Sequence, residues 1–500
     1  MATESTMTEA RPEGKKLRAN VKPAPYRIPQ APPMGWSPTG SKRREWVSRG
    51  MVGTIMFLQA VLTLRLRNSP SVGEVHTLTD YRSTPFIQGN ESIYPTIVDA
   101  LGITGARFFS LLCMLACTAM VYSWSRRLFN ERVGLAAAFA FAVIAPTLVV
   151  GALATVDAFG LALLALATWL TIESRQGPAW PVFLAAPVAA LAVVVNYSAL
   201  YYLPVVTLLA LLVSVRVVAP VMAAARTAPL VLVTIGMAAF TASVTSNQKM
   251  PESEDIGTLA EGTFHWLGLI TGLALAGAGF YVKRARMGEV PRGYDEEPPG
   301  IGWRIMLGVI LCLPPILAPV FLTLTPSVAP LWKPPLAYSA LFTATMAGVG
   351  LVRIVGRHFR FPQWGIMAAV ALLSIGMAQS SYEYTLWPNA SRLAEVLATQ
   401  VQPTGKYLAS DPETINYYLK DKTKPTQWTP TSAGDPTKAL KKMTFDLVVL
   451  ERPFLSKADE ALEAELRDSG TYRILNTVPF RLGWTRGTHE IWIANDVPVK

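Results

Sequence analysis

The sequence is short of charge. Acidic and basic side chains make up 16% of its 500 residues, where a globular protein carries about 25%. The deficit is uneven, since 133–156 and 179–215 contain no charged residue at all. Apolar runs of about 20 residues suffice to span a bilayer. A charge at the centre of such a run costs about 2.5–3.5 kcal/mol on insertion scales. The pattern excludes an ordinary soluble enzyme and implies a polytopic membrane protein. Cysteine is also scarce. Cys113, Cys117 and Cys312 all fall inside apolar runs, which excludes a disulfide-stapled external domain and zinc-finger spacing. They read as buried thiols. No G-x-G-x-x-G follows a strand pattern, so no dinucleotide site is indicated. A cleavable leader is not expected either, because about 45 polar, proline-rich residues come first. The first apolar run then acts as an uncleaved anchor.

Eleven apolar runs are present: 50–66, 106–124, 133–154, 158–173, 179–196, 199–215, 228–246, 264–282, 303–325, 336–352 and 364–382. Cytoplasmic loops are enriched in lysine and arginine. With the N-terminus inside, the inner segments hold 24 basic residues and the outer loops six. That asymmetry sets the orientation, and an odd number of spans puts the C-terminus outside. The remaining 15 basic residues lie in 383–500, where 15 acidic residues balance them. The net charge of +11 therefore sits on the cytoplasmic side. It suits anionic lipid headgroups there and does not indicate nucleic acid binding.

The expected organisation has three parts. Residues 1–49 form a basic cytoplasmic tail whose proline-rich stretch, "KPAPYRIPQAPPMGW", is expected to be disordered. Residues 50–382 form the membrane domain, with a first external loop over 67–105 and a charged cytoplasmic loop over 283–300. Residues 383–500 form a soluble extracytoplasmic domain. There "KYLAS" (406–410), "FDLVVL" (445–450), "YRILNTV" (472–478) and "EIWIAND" (490–496) read as strands. "DPETINYYL" opens a helix with Asp411 as N-cap and Pro412 at its first position. "SKADEALEAELRDSG" is a helix stopped by Gly470. Strands alternating with helices imply a small α/β layer domain.

Five acids face outward near the first four spans: Glu74, Asp80, Glu91, Asp99 and Asp157. Asp157 lies between two spans joined by almost no loop, which pins it near a membrane boundary. Ionisable groups in such places are costly and often functional. The alternative is a cap on the helix that follows. Glu74 lies in a first loop of about 40 residues, and long loops in compact architectures tend to be functional. Alone it also reads as an exposed loop acid. "ESIYPTIVDALG" (91–102), within the same loop, reads as a short interfacial helix. His76 and His265 each read as a loop residue or as a metal ligand.

Four stretches carry a family resemblance: "LRLRNSPSVGE", "GARFFSLLCMLACTAMVYSWSRRLFNERVGLAAAFAFAVIAP", "ATVDAFGLALLALATWL" and "NYSALYYLPVVTLLALL". Over about 65–225 the chain resembles the GT-C glycosyltransferases, in the prokaryotic protein-mannosyltransferase and aminoarabinose-transferase branch. The resemblance implies an inverting enzyme that moves a sugar from a polyprenyl-phosphate carrier to an acceptor hydroxyl at the outer membrane face. It implies Glu74, Asp80 and Asp157 as catalytic acids, and Arg82, Glu91 and Arg107 as groups holding the phosphate. Arg107 reads equally as an interfacial snorkelling arginine. A divalent metal ion is an optional cofactor, with His76, Glu91 and His265 as the available ligands. The family has an Asp-Glu pair in the first loop where this chain has Gly73-Glu74. Either Glu74 or Asp80 then serves as the base, or the chain is a non-catalytic relative acting as a partner subunit. A lipid-linked-sugar transporter is the third reading. The scarcity of ionisable groups within the spans and the lack of an internal repeat argue against it.

Overall fold

The computed structural model describes residues 42–66, 69–71, 74–75, 93–174, 180–216, 218–245, 255–286, 300–323, 334–354, 362–431, 436–441, 445–453, 457–482 and 485–497. The expectations placed on 1–41, on most of the 283–300 loop, and on Gly73, His76, Asp80, Arg82 and Glu91 lie outside the described residues.

The membrane domain is a helical bundle. Its helices are α1 (Lys42–Leu64), α2 (Ile93–Leu128), α3 (Glu131–Val143), α4 (Ala145–Ala152), α5 (Val156–Glu173) and α6 (Trp180–Val195). They continue as α7 (Leu203–Val215), α8 (Pro220–Thr245), α9 (Ile256–Arg286), α10 (Ile301–Thr323), α11 (Pro334–Ile354) and α12 (Pro362–Glu383). Among the described residues nine spans are long and apolar enough to cross a membrane, and α3 with α4 makes a broken tenth. The shorter apolar helix α6 has 16 residues.

The run over 133–154 is not one straight helix, as its composition suggests. It bends by 61° at Ile144, which is extended (φ −75°, ψ 149°), with Pro146 in the first turn of α4. Proline lacks the N–H needed to continue the ladder and disfavours helix in the residue before it. Tyr197–Tyr202 likewise forms a separate 3₁₀ turn before Pro204 opens α7. In α2, Gly102 at φ 70° separates the short helix expected near 91–102 from the long span. Only glycine takes that backbone without strain.

The most buried span is α11. Its Gly350 lies against the carbonyl of Leu273 in α9, where a Cβ would sit only 2.2 Å away. Close backbone approach through small residues is how apolar helices associate within lipid. The three cysteines are buried and form no disulfide.

After α12 come α13 (Ser391–Gln400), β1 (Tyr407–Ala409), α14 (Pro412–Leu419), β2 (Trp428–Pro430) and α15 (Pro436–Lys441). Then follow β3 (Leu447–Arg452), α16 (Lys457–Ser469), β4 (Tyr472–Leu482) and β5 (Thr485–Ala494). The sheet order is β2-β1-β3-β5-β4. Strand β1 pairs in parallel with β2 and β3, while β5 runs antiparallel to β3 and β4. Alternation along β3 sends Leu447 and Val449 into one core with α13 and α14. Val448 and Leu450 enter the other with α15 and α16. Asp411 caps α14 as its sequence implies, accepting from Thr414 N at 3.1 Å.

Two titratable groups face each other inside this domain. Glu451 is 6% exposed, and burial, then the charges of Asp411 and Asp459, push its acid up to about 8. His489 is fully buried, its Nδ1 is 3.6 Å from Glu451 Oε1, and burial pushes it down to about 4. The folded state holds the Glu451 proton more tightly than the unfolded chain, so this group removes stability as pH rises from about 4.5 to about 8. His489 has the opposite sign and adds stability from about 4 to about 6.5. The slopes offset below 6.5, and above it only Glu451 acts. The domain should therefore lose stability as pH rises from 6.5 to 8. Melting followed by tryptophan fluorescence at both pH values checks this. Glu451→Gln should flatten the dependence, and a wild-type melting point equal at the two pH values would contradict the assignment.

Candidate active site

The segment leaving α1 is fastened on several sides. Arg65 Nη2 donates to the carbonyl of Met377 at 2.7 Å and to Ser380 Oγ at 3.0 Å, both on α12. Trp387 Nε1 donates to the Ser69 carbonyl at 3.0 Å. The next turn carries the motif Ser71-x-x-Glu74. Ser71 N donates to Glu74 Oε2 at 3.0 Å, and Glu74 N donates to Ser71 Oγ at 3.3 Å. This is a reciprocal capping box, and it aims the Glu74 carboxylate inward.

Glu74 is 0% exposed. Arg107 grips it with two hydrogen bonds, Nε to Oε1 and Nη2 to Oε2, each 2.8 Å. Ala154 N donates to Oε1 at 2.7 Å. With Ser71 N, four donors occupy the roughly four lone-pair positions of a carboxylate. Planar two-point pairing of this kind is the strong form of the arginine–carboxylate contact. Glu74 thus ties the first loop to α2 and to the turn between α4 and α5.

That turn carries Asp157, three residues beyond Ala154. Thr155 is the N-cap of α5 and Asp157 lies in its first turn, where the helix dipole favours an anion. Its Oδ1 accepts from Asn196 Nδ2 at 2.7 Å, and Tyr338 donates to its backbone carbonyl at 3.3 Å. Asn196 is fixed in turn as the cap of the 3₁₀ segment, accepting from Ser198 N. Unlike Glu74, Asp157 is partly exposed. The far ends of α2 and α5 meet in the Arg127–Glu173 ion pair at 2.7 Å, so Arg107 and Asp157 share the opposite end of the bundle.

The C-terminal domain closes over this end. Tyr417 of α14 packs against the Ala106–Ala154 cluster, as do Phe109 and Phe159. Burial raises the Tyr417 and Tyr418 phenols, Tyr418 to about 12, and the nearby Glu74 charge adds to both shifts. Tyr384, just past α12, is raised by the same causes. All three phenols are therefore neutral hydrogen-bonding groups at physiological pH. A cavity of about 20 Å³, room for about one water, lies between Pro70, Trp387 and Glu451.

The structure thus brings Glu74, Arg107 and Asp157 to one end of the bundle. It places His265 elsewhere on that periphery, exposed and edge-on to Trp266. Among the described residues no three His, Cys, Asp or Glu side chains gather as metal ligands. The side chain of Asp99 is outside the description, as are His76, Asp80, Arg82 and Glu91. Three contributors carried no strong signal. Asn196 was hidden in an apolar run, although Asn before a polar-aromatic turn is a capping pattern. Trp387 and Tyr384 lay at the end of a span, where aromatic residues are common.

Residues 93–244 match the family model of the dolichyl-phosphate-mannose-protein mannosyltransferases. No curated protein sequence matches the chain significantly. Among solved structures, apo ArnT from Cupriavidus metallidurans aligns with TM-score 0.52 and 13% identity, over 89% of this chain and 98% of that one. The undecaprenyl-phosphate complex of the same protein aligns with TM-score 0.52 and 13% identity, over 88% and 98%. The apo oligosaccharyltransferase of Archaeoglobus fulgidus gives TM-score 0.47 and 11% identity, over 80% and 69%. At these identities the likeness is one of fold.

Proposed function

Because this chain has the fold of the GT-C glycosyltransferases, we propose that it moves a sugar from a polyprenyl-phosphate carrier to an acceptor hydroxyl. The reaction takes place at the outer face of the cytoplasmic membrane, where the C-terminal domain covers the site. The observation that carries the reading is the convergence of Glu74, Arg107 and Asp157 at one end of the bundle. The match to ArnT, solved with undecaprenyl phosphate, supports the choice of donor.

Asp157 is the general base in this reading, because it retains exposure and a defined orientation. It takes the acceptor hydroxyl proton as the oxygen attacks the anomeric carbon from the face opposite the phosphate. The glycosidic bond forms, the bond from carbon to phosphate oxygen breaks, and polyprenyl phosphate leaves with its electron pair. The configuration inverts. Glu74 acts as the anchor that sets the first loop against α5, and Asp80, Arg82 and Glu91 belong to the same loop in the sequence. Arg82 and Arg107 supply positive charge to the leaving phosphate. A divalent ion, if used, would draw on the same loop.

The test supplies the full chain in detergent with labelled polyprenyl-phosphate pentoses and hexoses and a mixture of envelope acceptors. Transfer with inversion is expected for one donor. Donor binding without transfer from any of them would instead favour a non-catalytic partner subunit. Gly73 in place of the family's first acid, together with the four-fold occupied Glu74 carboxylate, gives that second reading its basis.

A further inference from the structure

A second, larger cleft of about 640 Å³ opens where the end of α12 and the start of α13 face the β4–β5 hairpin. Its volume lies within the range of small-ligand sites, about 300–1,000 Å³. Tyr384, Trp387 and Phe480 line it together with Arg392, Arg481 and Arg486. The three aromatic residues are nearly buried, while the three arginines are exposed.

The arrangement of the arginines is unusual. Arg481 and Arg486 are direct cross-strand partners, so their side chains stand on one face of the hairpin. Like charges directly opposite each other destabilise a strand pair. Elsewhere in the domain arginines meet acids: Arg452 pairs with Glu463 and Glu490, and Arg467 with Glu463. None of Arg392, Arg481 and Arg486 forms an ion pair among the described residues. On the opposite face of the hairpin the Phe480 ring packs against His489, with ring centroids 4.4 Å apart. Gly487 is the cross-strand partner of Phe480, and a Cβ on it would meet the ring at 2.3 Å. Only glycine lets Phe480 lie there.

A shared anion relieves the repulsion, since guanidinium groups bind phosphate and carboxylate through planar pairs of hydrogen bonds. Tyr384 and Trp387 in the lining beside the cations suit a ring-shaped, partly apolar ligand body. One wall is the β4–β5 hairpin of the soluble domain and the other is the segment just past α12, and the three exposed arginines between them suit a water-facing ligand rather than a lipid chain. We propose that this cleft binds an anionic saccharide, bearing phosphate or carboxylate, as the acceptor of the transfer reaction. The role as acceptor rests on the proposed function, whereas the binding does not. Trp387 joins the two places, since it lines the cleft and holds Ser69 beside the Glu74 turn.

The test measures binding to the full chain in nanodiscs of neutral phosphatidylcholine by calorimetry. The probes are maltotriose phosphate, an oligoglucuronate, neutral maltotriose, inorganic phosphate and undecaprenyl phosphate. At least one anionic saccharide should bind ten times or more tighter than both neutral maltotriose and inorganic phosphate. Arg481→Ser/Arg486→Ser should weaken it tenfold or more, and Arg481→Lys/Arg486→Lys by less. Undecaprenyl phosphate binding and the melting temperature should stay at wild-type values in both variants. Failure of both anionic saccharides to bind wild type would overturn the proposal, as would equal affinity in the serine variant. Inorganic phosphate binding as tightly as the saccharide would leave a plain anion site and overturn it too. A parallel loss of undecaprenyl phosphate would assign the cleft to the donor instead. Intact saccharide binding in a protein that transfers no sugar would sink the transfer reading and leave the cleft standing.

Discussion

Asp157→Asn is expected to lower sugar transfer by about 10²–10⁴-fold, the usual contribution of a general base. The substitution keeps size and shape, and its amide oxygen can still accept from Asn196 Nδ2, which lies 2.7 Å away. Asp157 is partly exposed and the buried Asn196 keeps its acceptor, so the melting temperature should hold. Donor affinity should also hold, because the loss is in proton removal during the chemical step. Glu74→Gln should behave differently. Its amide nitrogen must replace one oxygen that now accepts from Arg107 and from a backbone N–H. A donor would then face donors around a fully buried side chain, and stability should fall together with transfer. Initial rates at saturating donor, read beside thermal melts, separate the two variants. A fully active Asp157→Asn enzyme would remove Asp157 from the role of base.

Much of this architecture was legible because membrane insertion reads composition directly. Long uncharged runs gave the spans, and Asp157 stood out because it had almost no loop in which to be solvated. The domain after residue 383 was legible where local chemistry is strong, as in Asp411-Pro412 and Gly470. What stayed hidden depends on contacts distant in sequence. Glu74 meets Arg107 33 residues later and Ala154 80 residues later. A loop acid and a buried anchor look alike until the bundle forms. One local sign was present, since Ser71-x-x-Glu74 is a capping box. Helix α13 was missed even though its apolar residues, Leu393, Ala394 and Leu397, recur at helical spacing. The break at Ile144 was concealed by unbroken hydrophobicity, with Pro146 its only marker.

The Glu74–Arg107 pair should show the strongest coupling in the molecule. Arg107→Ala leaves a fully buried carboxylate with backbone donors but no cation, and such a change is expected to destabilise by about 3–5 kcal/mol. Glu74→Ala should destabilise less, because Arg107 is 20% exposed and can turn towards water. Replacing both with apolar residues of similar volume, Glu74→Leu with Arg107→Met, removes the uncompensated charge. Stability should then recover to near or above that of either single variant, since such swaps of buried pairs are often neutral or stabilising. Thermal melts of wild type, Glu74→Leu, Arg107→Met and their double variant give the coupling free energy, and additive losses would show that the pair is not the tie described here. Transfer by the double variant decides what the pair is for. Recovered fold with recovered transfer would mean that Glu74 and Arg107 only position the first loop against α5. Recovered fold without transfer would mean that one of the two touches the donor or the acceptor. The geometry favours loss of transfer even then, because the Ala154 N–H that Glu74 accepts belongs to the same turn that aims Asp157. Without the carboxylate, that turn has lost its tie to the first loop.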